Sequence, residues 1–319
     1  MPFTKVVLIT GGAGFIGSNL SRRLLTENCR VICMDNFYTS KKENIAELLT
    51  DENFSLIEQD VTVPFNIQSD EIYHLAAPAS PIHYQKDPVY TTKTIVIGTL
   101  NALECARINN SKILNASTSE IYGEPEVHPQ KEEYHGNVNI NGIRACYDEG
   151  KRCSETLCSD YRRHFGVDTK IIRIFNTYGP YMDKNDGRVV SEFITCMLNN
   201  QPVKVYGSGT QTRSFCYIDD LVEGIIRMMN SDLSGPVNLG NAEEIPILQL
   251  VNIISEVIGI KSLIEFKDLP LDDPTKRKPD TTKATQILGW KPSIDIKTGI
   301  NKTVKYFESI IERSTSKIS

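Results

Sequence analysis

"VVLITGGAGFIGSNL", residues 6–20, decides the architecture. An apolar run leads into four glycines within seven positions, and a helix-like pattern follows. Gly11, Gly14 and Gly17 are spaced G-x-x-G-x-x-G, while Gly12, Gly14 and Gly17 also satisfy G-x-G-x-x-G. Glycines at that spacing permit a tight turn, a close backbone approach to a pyrophosphate and close packing of helix on strand. The helix start then offers free N–H groups and a positive dipole end to phosphate. The next apolar run closes on Asp35. An acid there accepts both hydroxyls of an adenosine ribose and repels a 2′-phosphate. The pattern points to a dinucleotide, NAD rather than NADP.

Working outward, short β-branched runs alternate with longer amphipathic ones. "KVVLIT" (5–10), "RVICMD" (30–35), "FSLIEQD" (54–60), "EIYHLA" (71–76), "KILNAS" (112–117) and "TKIIRIF" (169–175) read as strands buried on both faces. Long helices are expected near 88–109 and 144–165. The alternation predicts an α/β fold with a doubly wound, Rossmann-type parallel sheet. Beyond residue 176 the pattern loosens. "KVYG", "TRSFCYI", "PVNLGN" and "SLIEFKD" are short strand candidates mixed with helices near 188–199, 219–230, 246–258 and 297–313. We expect an NAD-binding domain of residues 1–176, to which about 212–240 return. A smaller mixed α/β substrate-binding lobe takes 177–211 and 241–319. "RSTSKIS", residues 313–319, reads as a frayed tail.

Composition narrows the partners. A net charge of −5 gives no broad attraction to nucleic acid or anionic lipid, so an anionic ligand needs local basic groups. "MPFTKVVLIT" carries no leader pattern, and no apolar run approaches the roughly eighteen residues of a membrane span. The eight cysteines and five histidines are scattered without zinc spacing. The expectation is a cytoplasmic protein with reduced cysteines and no bound metal.

Proton chemistry centres on "CYDEGKR", residues 146–152, where Tyr147 precedes Lys151 by one helical turn. With 13 tyrosines and 21 lysines, about one Tyr-x-x-x-Lys spacing arises by chance. Tyr38 and Lys42 match as well, and in isolation either pair reads as a solvated helix face. Tyr38 and Lys42 fall just past Asp35, on the adenosine side, which makes them the decoy. A nearby ammonium is expected to lower the pKa of the Tyr147 phenol and make it a proton acceptor. Gly150 between them is unfavourable in a helix and suggests that another group comes close. "NASTSEIYG", residues 115–123, ends a strand in hydroxyls, placing Ser117 and Thr118 at the sheet edge where such folds bind ligands.

"TGGAGFIG", "HLAAPASP", "STSEIYG", "YDEGK" and "RIFNTYGP" together resemble the extended short-chain dehydrogenase/reductases that act on nucleotide sugars. "DGRVVSEF", "VYGSGTQTRSF" and "DDPTKRKPD" narrow the resemblance to the UDP-glucuronate decarboxylases, or UDP-xylose synthases, over residues 5 to 310 or so. The resemblance implies Tyr147, Lys151, Thr118, Ser119, Glu120 and Arg277 as catalytic groups. Dehydratases of the superfamily carry an acid where Ser119 stands; 4-epimerases have no carboxylate matching Glu120. It also implies cofactor contacts from Gly11, Gly14, Phe15, Ile16, Gly17, Asp35, Asn36, Asp60, Val61, Leu75, Ala76 and Ser117, besides Tyr147 and Lys151. Tyr84, Asn176, Arg188, Tyr206, Gln211 and Arg213 match positions that hold the nucleotide sugar, with Glu120 and Arg277 at its carboxylate.

The implied reaction is NAD-dependent decarboxylation of UDP-glucuronate to UDP-xylose through a UDP-4-keto sugar, in a homodimer built on the two long helices. The rivals are a UDP-apiose/UDP-xylose synthase, an enzyme releasing the UDP-4-keto-pentose, a UDP-sugar 4-epimerase and a non-enzymatic NAD sensor. Ile140 and Asn141 replace a Pro-Ile common in the family, and Tyr181 stands where an arginine is common. Asp35→Ala is expected to raise the affinity for NADP relative to NAD by about tenfold, because a like-charge clash is removed. Fluorescence titration of both cofactors checks this; an unchanged ratio would remove Asp35 from cofactor choice.

Overall fold

The computed structural model describes residues 3–268 and 276–315. In chain order the strands are β1 (Val6–Thr10), β2 (Arg30–Asp35), β3 (Phe54–Glu58), β4 (Glu71–His74), β5 (Lys112–Thr118), β6 (Thr169–Ile174), β7 (Thr177–Tyr178), β8 (Val203–Tyr206), β9 (Thr212–Ser214), β10 (Cys216–Tyr217), β11 (Val237–Leu239), β12 (Glu244–Pro246) and β13 (Ile264–Lys267). The helices are α1 (Phe15–Thr26), α2 (Pro81–Tyr84), α3 (Pro88–Asn109), α4 (Ala145–Phe165), α5 (Val189–Leu198), α6 (Ile218–Met229), α7 (Ile247–Ile258), α8 (Thr282–Leu288) and α9 (Ile296–Thr315).

The central sheet has seven strands in the order β11-β6-β5-β4-β1-β2-β3, and every neighbouring pair is parallel. The order reverses between β1 and β4, which opens a crevice beyond their C-terminal ends. Alternate residues of β1 go to opposite faces. Val7 and Ile9 pack with Leu20 and Leu24 of α1 and Ile225 of α6, whereas Leu8 packs with Leu103 and Ala106 of α3 and Cys158 of α4. Burial on both faces is why these strands read as continuous apolar runs. Burying Leu20 and Leu24, one turn apart on α1, stabilises the fold by roughly 1.5–3 kcal/mol each.

Helices α3 and α4 pack side by side over the second face. On α4 the buried positions Tyr147, Lys151, Ser154, Cys158 and Tyr161 recur every three or four residues as one stripe, with Asp148 and Gly150 buried beside it. A Cβ on Gly150 would lie 3.2 Å from the Ile95 side chain, so the close neighbour of Gly150 is α3. Arg162, Arg163 and His164 complement the dipole in the last turn, and Gly166, at φ +71°, ends the helix.

Past β6 the chain makes three small two-stranded sheets, β7 with β10, β9 with β12 and β8 with β13. The single strand expected in "TRSFCYI" divides between two of them, because Phe215 pairs with neither and buries its ring in the core. The chain joins the main sheet once more at β11, parallel to β6. The tail expected from residue 313 is also corrected, since α9 continues to Thr315; residues 316–319, and 272–275 of "DDPTKRKPD", lie outside the described residues. Among the described residues no helix is long and apolar enough to cross a membrane.

One tight backbone approach of the fold is at the glycine turn. A Cβ on Gly17 would sit 2.4 Å from the Gly11 carbonyl oxygen and 2.6 Å from Gly12 Cα. Neither atom is free to move without pulling β1 from α1. Gly17→Ala is therefore expected to destabilise the protein by about 1–3 kcal/mol and to abolish dinucleotide retention. The urea midpoint and the cofactor content of purified protein measure the two effects.

Candidate active site

A cleft of about 730 Å³ runs from the glycine turn, past the ends of β4 and β5, to Tyr206 of β8 and Arg213 of β9. At its first end, α1 begins at Gly14 without a side-chain cap and without an acid in its first turn. Its N–H groups are therefore open to an anion. Gly11 holds φ +71° and a Cβ there would meet the Ala76 backbone at 2.9 Å, so only glycine fits where turn and cleft floor touch. Phe15, Ile16, Gly17, Asn36, Val61 and Leu75 line this end with Asp35. Asp60 does not line it; its carboxylate stands behind, accepting from Asn36 Nδ2 at 2.8 Å and the Tyr90 hydroxyl at 2.5 Å.

Asp35 is more occupied than its sequence position implies. Its Oδ1 accepts from Phe37 N–H at 2.9 Å and the Ser40 hydroxyl at 2.7 Å, and its Oδ2 accepts from Ala13 N–H at 3.0 Å. One lone pair is left on Oδ2, enough for one ribose hydroxyl rather than the two expected. The open helix start, the glycine cradle and this acid together fit a dinucleotide. The decoy pair separates: Tyr38 lines the cleft rim beside Tyr90, while Lys42 lies 2.8 Å from Glu58 on the exposed surface.

In mid-cleft, α4 crosses the end of β5. Lys151 Nζ donates to the Ala116 carbonyl at 2.7 Å and lies 5.9 Å from the centre of the Tyr147 ring. Both side chains are buried. The Tyr84 ring stacks on Tyr147 with centroids 5.1 Å apart, and its buried hydroxyl has no hydrogen-bond partner among the described residues. Burial pushes the Tyr147 phenol up to about 12, opposed first by a hydrogen bond from Thr118 and then by Arg188. Burial also drives Lys151 down to about 8, against the pull of Cys158 and Glu155. The expectation that Lys151 lowers the Tyr147 value is not met in this state: burial raises it, and the groups that oppose burial are Thr118 and Arg188. Thr118, not Ser117, is the hydroxyl engaged with Tyr147. Ser117 lines the cleft but donates to Glu155 Oε1 at 2.5 Å.

Beside Thr118, Ser119 and Glu120 open a short helical turn from Ser119 to Tyr122. Arg277 donates to the Ser119 carbonyl through Nη1, and its Nη2 lies 3.4 Å from Glu120 Oε2. Arg144 Nη2 approaches the same Oε2 at 2.5 Å. Burial alone would raise the Glu120 carboxyl, but Arg277 and Arg144 hold it below the usual carboxylate range. Arg144 was missed in the sequence, where a lone arginine in a loop carries no signal. Asp148, next to Tyr147, was missed too; burial and then the Glu120 charge push it up to about 7. Asn176, Arg188, Tyr206, Gln211 and Arg213 line the far end, where Arg188 pairs with Asp186 at 3.0 Å. Of two departures from the family pattern, one lies outside the cleft lining and one on it. Ile140 is an exposed side chain of the loop before α4, and Tyr181 lines the wall, its ring 3.5 Å under the Arg22 guanidinium.

Residues 7–240 match the NAD dependent epimerase/dehydratase family. A UDP-glucuronic acid decarboxylase 1 of Xenopus tropicalis is 50% identical over 312 residues, which span 98% of this chain and 74% of that protein. Among solved structures, a UDP-N-acetylglucosamine 4-epimerase of Methanobrevibacter ruminantium superposes with TM-score 0.90 at 27% identity, covering 97% of this chain and 99% of its own. A UDP-glucuronic acid 4-epimerase of Bacillus cereus, in complex with UDP-glucuronic acid and NAD, gives TM-score 0.86 at 28% identity and covers 96% and 99%.

Replacing Arg144 by methionine takes from Glu120 one of two cations that keep it ionised. The Glu120 carboxyl is held low in the intact site, so its charge is lost only as pH falls through that lowered value. Without Arg144 the value rises, and the acidic limb of the pH–rate profile is expected to move to higher pH. An acidic limb that stays in place would show that Arg144 does not set the Glu120 charge.

Proposed function

The chain belongs to the NAD dependent epimerase/dehydratase family, and from that premise we propose that it decarboxylates UDP-glucuronate to UDP-xylose with retained NAD. The observation that carries the reading is the Glu120 carboxylate held by Arg144 and Arg277 beside the Tyr147–Thr118 pair. A carboxylate there, with Ser119 rather than an acid before it, suits proton handling at a sugar carbon instead of loss of water. The identity to decarboxylases over nearly the whole chain supports the same reading.

Bound NAD supplies the hydride acceptor, and later the donor, at C4 of the sugar. Tyr147 takes the O4 proton. It does so as phenolate, which the Thr118 hydrogen bond and the Arg188 charge favour against burial. The ketone made at C4 turns the sugar acid into a β-keto acid, so the electrons of the C5–carboxylate bond flow into the carbonyl as CO₂ leaves. Tyr147, protonated again, stabilises the enolate oxygen where charge develops. Glu120 and Arg277 then manage delivery of a proton to C5, through a water between them and the sugar. Arg277 already spends its guanidinium on Ser119 and Glu120. It is thus suited to positioning and proton supply, whereas clamping the carboxylate would stabilise the ground state and slow its loss. Reduction of the ketone completes a cycle with no net redox change.

We further assign residues 1–176 with about 212–240 to NAD binding and the remainder to the UDP-sugar lobe. Val89, Ile97, Leu100 and Ile108 of α3 and Phe165 of α4 are exposed apolar side chains, which supports a homodimer through these helices. Eight free cysteines support a reducing, cytoplasmic setting.

Incubation with UDP-glucuronate, with and without added NAD, is expected to release CO₂ and give the proton NMR spectrum of UDP-xylose. A UDP-4-keto-pentose or UDP-apiose spectrum would redirect the last step. Glu120→Ala is expected to bind NAD and UDP normally and to lose turnover by about 10²–10⁴-fold. Wild-type-like UDP-xylose production by that variant would end the assignment.

A further inference from the structure

Arg277 reaches the active site from residues 276–280, a segment that belongs to no helix and to no named strand. A functional guanidinium on irregular chain needs something else to hold its backbone. Among the described residues, the main-chain hydrogen bonds of Lys278 to Asp280 end on Gln130 or Asn238. Gln130 Oε1 accepts from Lys278 N–H at 2.8 Å, and Gln130 N–H donates to the Lys278 carbonyl at 2.8 Å. The Gln130 carbonyl accepts from Asp280 N–H at 2.8 Å and from Asn238 Nδ2 at 2.9 Å. Asn238 Nδ2 also donates to the Asp280 carbonyl at 3.1 Å. Gln130 and Asn238 are both 0% exposed. Gln130 Nε2 donates to the Val127 carbonyl at 2.9 Å, so the side-chain amide has partners at both ends.

This clamp does not stand apart from the catalytic helix. Asn238 Oδ1 accepts from the Tyr122 hydroxyl at 2.8 Å, and Tyr122 closes the turn that begins with Ser119 and Glu120. The Tyr122 hydroxyl in turn accepts from Arg173 at 2.9 Å, and Arg173 is ion-paired at 2.8 Å with Glu155 of α4, one turn beyond Lys151. One buried polar chain therefore links the backbone under Arg277, the turn carrying Glu120 and the helix carrying Tyr147 and Lys151.

We propose that Gln130 and Asn238 are positioning residues for the decarboxylation half of the reaction, setting Arg277 against Ser119 and Glu120 by fixing residues 278–280. The inference rests on the functional reading above. Oxidation at C4 uses Tyr147, Thr118 and Lys151 and does not depend on Arg277, so disturbing the clamp separates the two half-reactions. Gln130→Leu removes the acceptor for Lys278 N–H. Gln130→Glu keeps an oxygen there and serves as the conservative variant.

The test mixes each NAD-loaded variant with UDP-glucuronate and follows reduced nicotinamide by its near-ultraviolet absorbance and CO₂ by trapping. In Gln130→Leu, cofactor reduction is expected to persist while CO₂ release falls about ten- to a hundredfold, the scale of a small displacement of a catalytic group. Gln130→Glu should recover most of that loss. A parallel fall in both signals, or unchanged CO₂ release in Gln130→Leu, overturns the proposal. Should Gln130→Leu not fold by circular dichroism, Asn238→Asp is scored by the same two signals. It keeps the acceptor for Tyr122 and loses the donors to the Gln130 and Asp280 carbonyls. Absence of CO₂ from the wild-type protein would strike the functional reading instead and is seen in the same experiment.

Discussion

The site depends on the docking of α4 across the C-terminal end of β5. Three polar contacts set it within about one turn of the helix: Lys151 on the Ala116 carbonyl, Ser154 on the Asn115 amide and Glu155 on the Ser117 hydroxyl. Each ties a helix residue to one strand, so the helix neither slides nor rotates without breaking buried hydrogen bonds. That register places the Tyr147 hydroxyl against Thr118 and brings Arg144, at the helix start, onto Glu120. Gly150 permits it by letting α3 press close behind, with Ile95 against the helix backbone.

Burial then decides the electrostatics. Desolvation pushes the Tyr147 phenol up to about 12 and drives the Lys151 ammonium down to about 8, so taken alone it opposes the charged forms of both. Glu120 shows the opposite balance, because two guanidinium groups outweigh the same desolvation. The cleft thus holds a proton acceptor that needs help to ionise next to a carboxylate that is ionised already. Two titratable groups driven apart in this way are suited to different steps of one reaction. The removal of water that makes each charge expensive also strengthens every interaction with charge developing on the sugar.

The legible parts were those with local signatures. Gly11, Gly14 and Gly17 announce a turn in which Gly11 and Gly17 leave no room for a side chain, and the apolar runs of β1, β2 and β4 announce strands buried on both faces. Tyr147 and Lys151 were visible as a spacing, yet Tyr38 and Lys42 had the same spacing and end on a rim and an outer surface. Asp35 was visible as an acid but not as one already bonded to Ala13, Phe37 and Ser40. The strand expected in "TRSFCYI" failed because Phe215 takes a core position and divides its neighbours between two sheets. Arg144, Gln130 and Asn238 had no sequence signal at all, since each acts through a partner more than twenty residues away.

The run from Ser117 to Glu120 implied the class of chemistry through its resemblance to a family; by itself the sequence determined the parallel sheet, the dinucleotide turn and the Tyr–Lys helix. These follow from backbone sterics, hydrophobic period and residue type, all of which act within a few positions. Only the tertiary structure decided which hydroxyl serves Tyr147, how many cations hold Glu120, and what fixes Arg277 in place. Those depend on distances between segments far apart in the chain, and on burial, which no residue has until the others have packed around it.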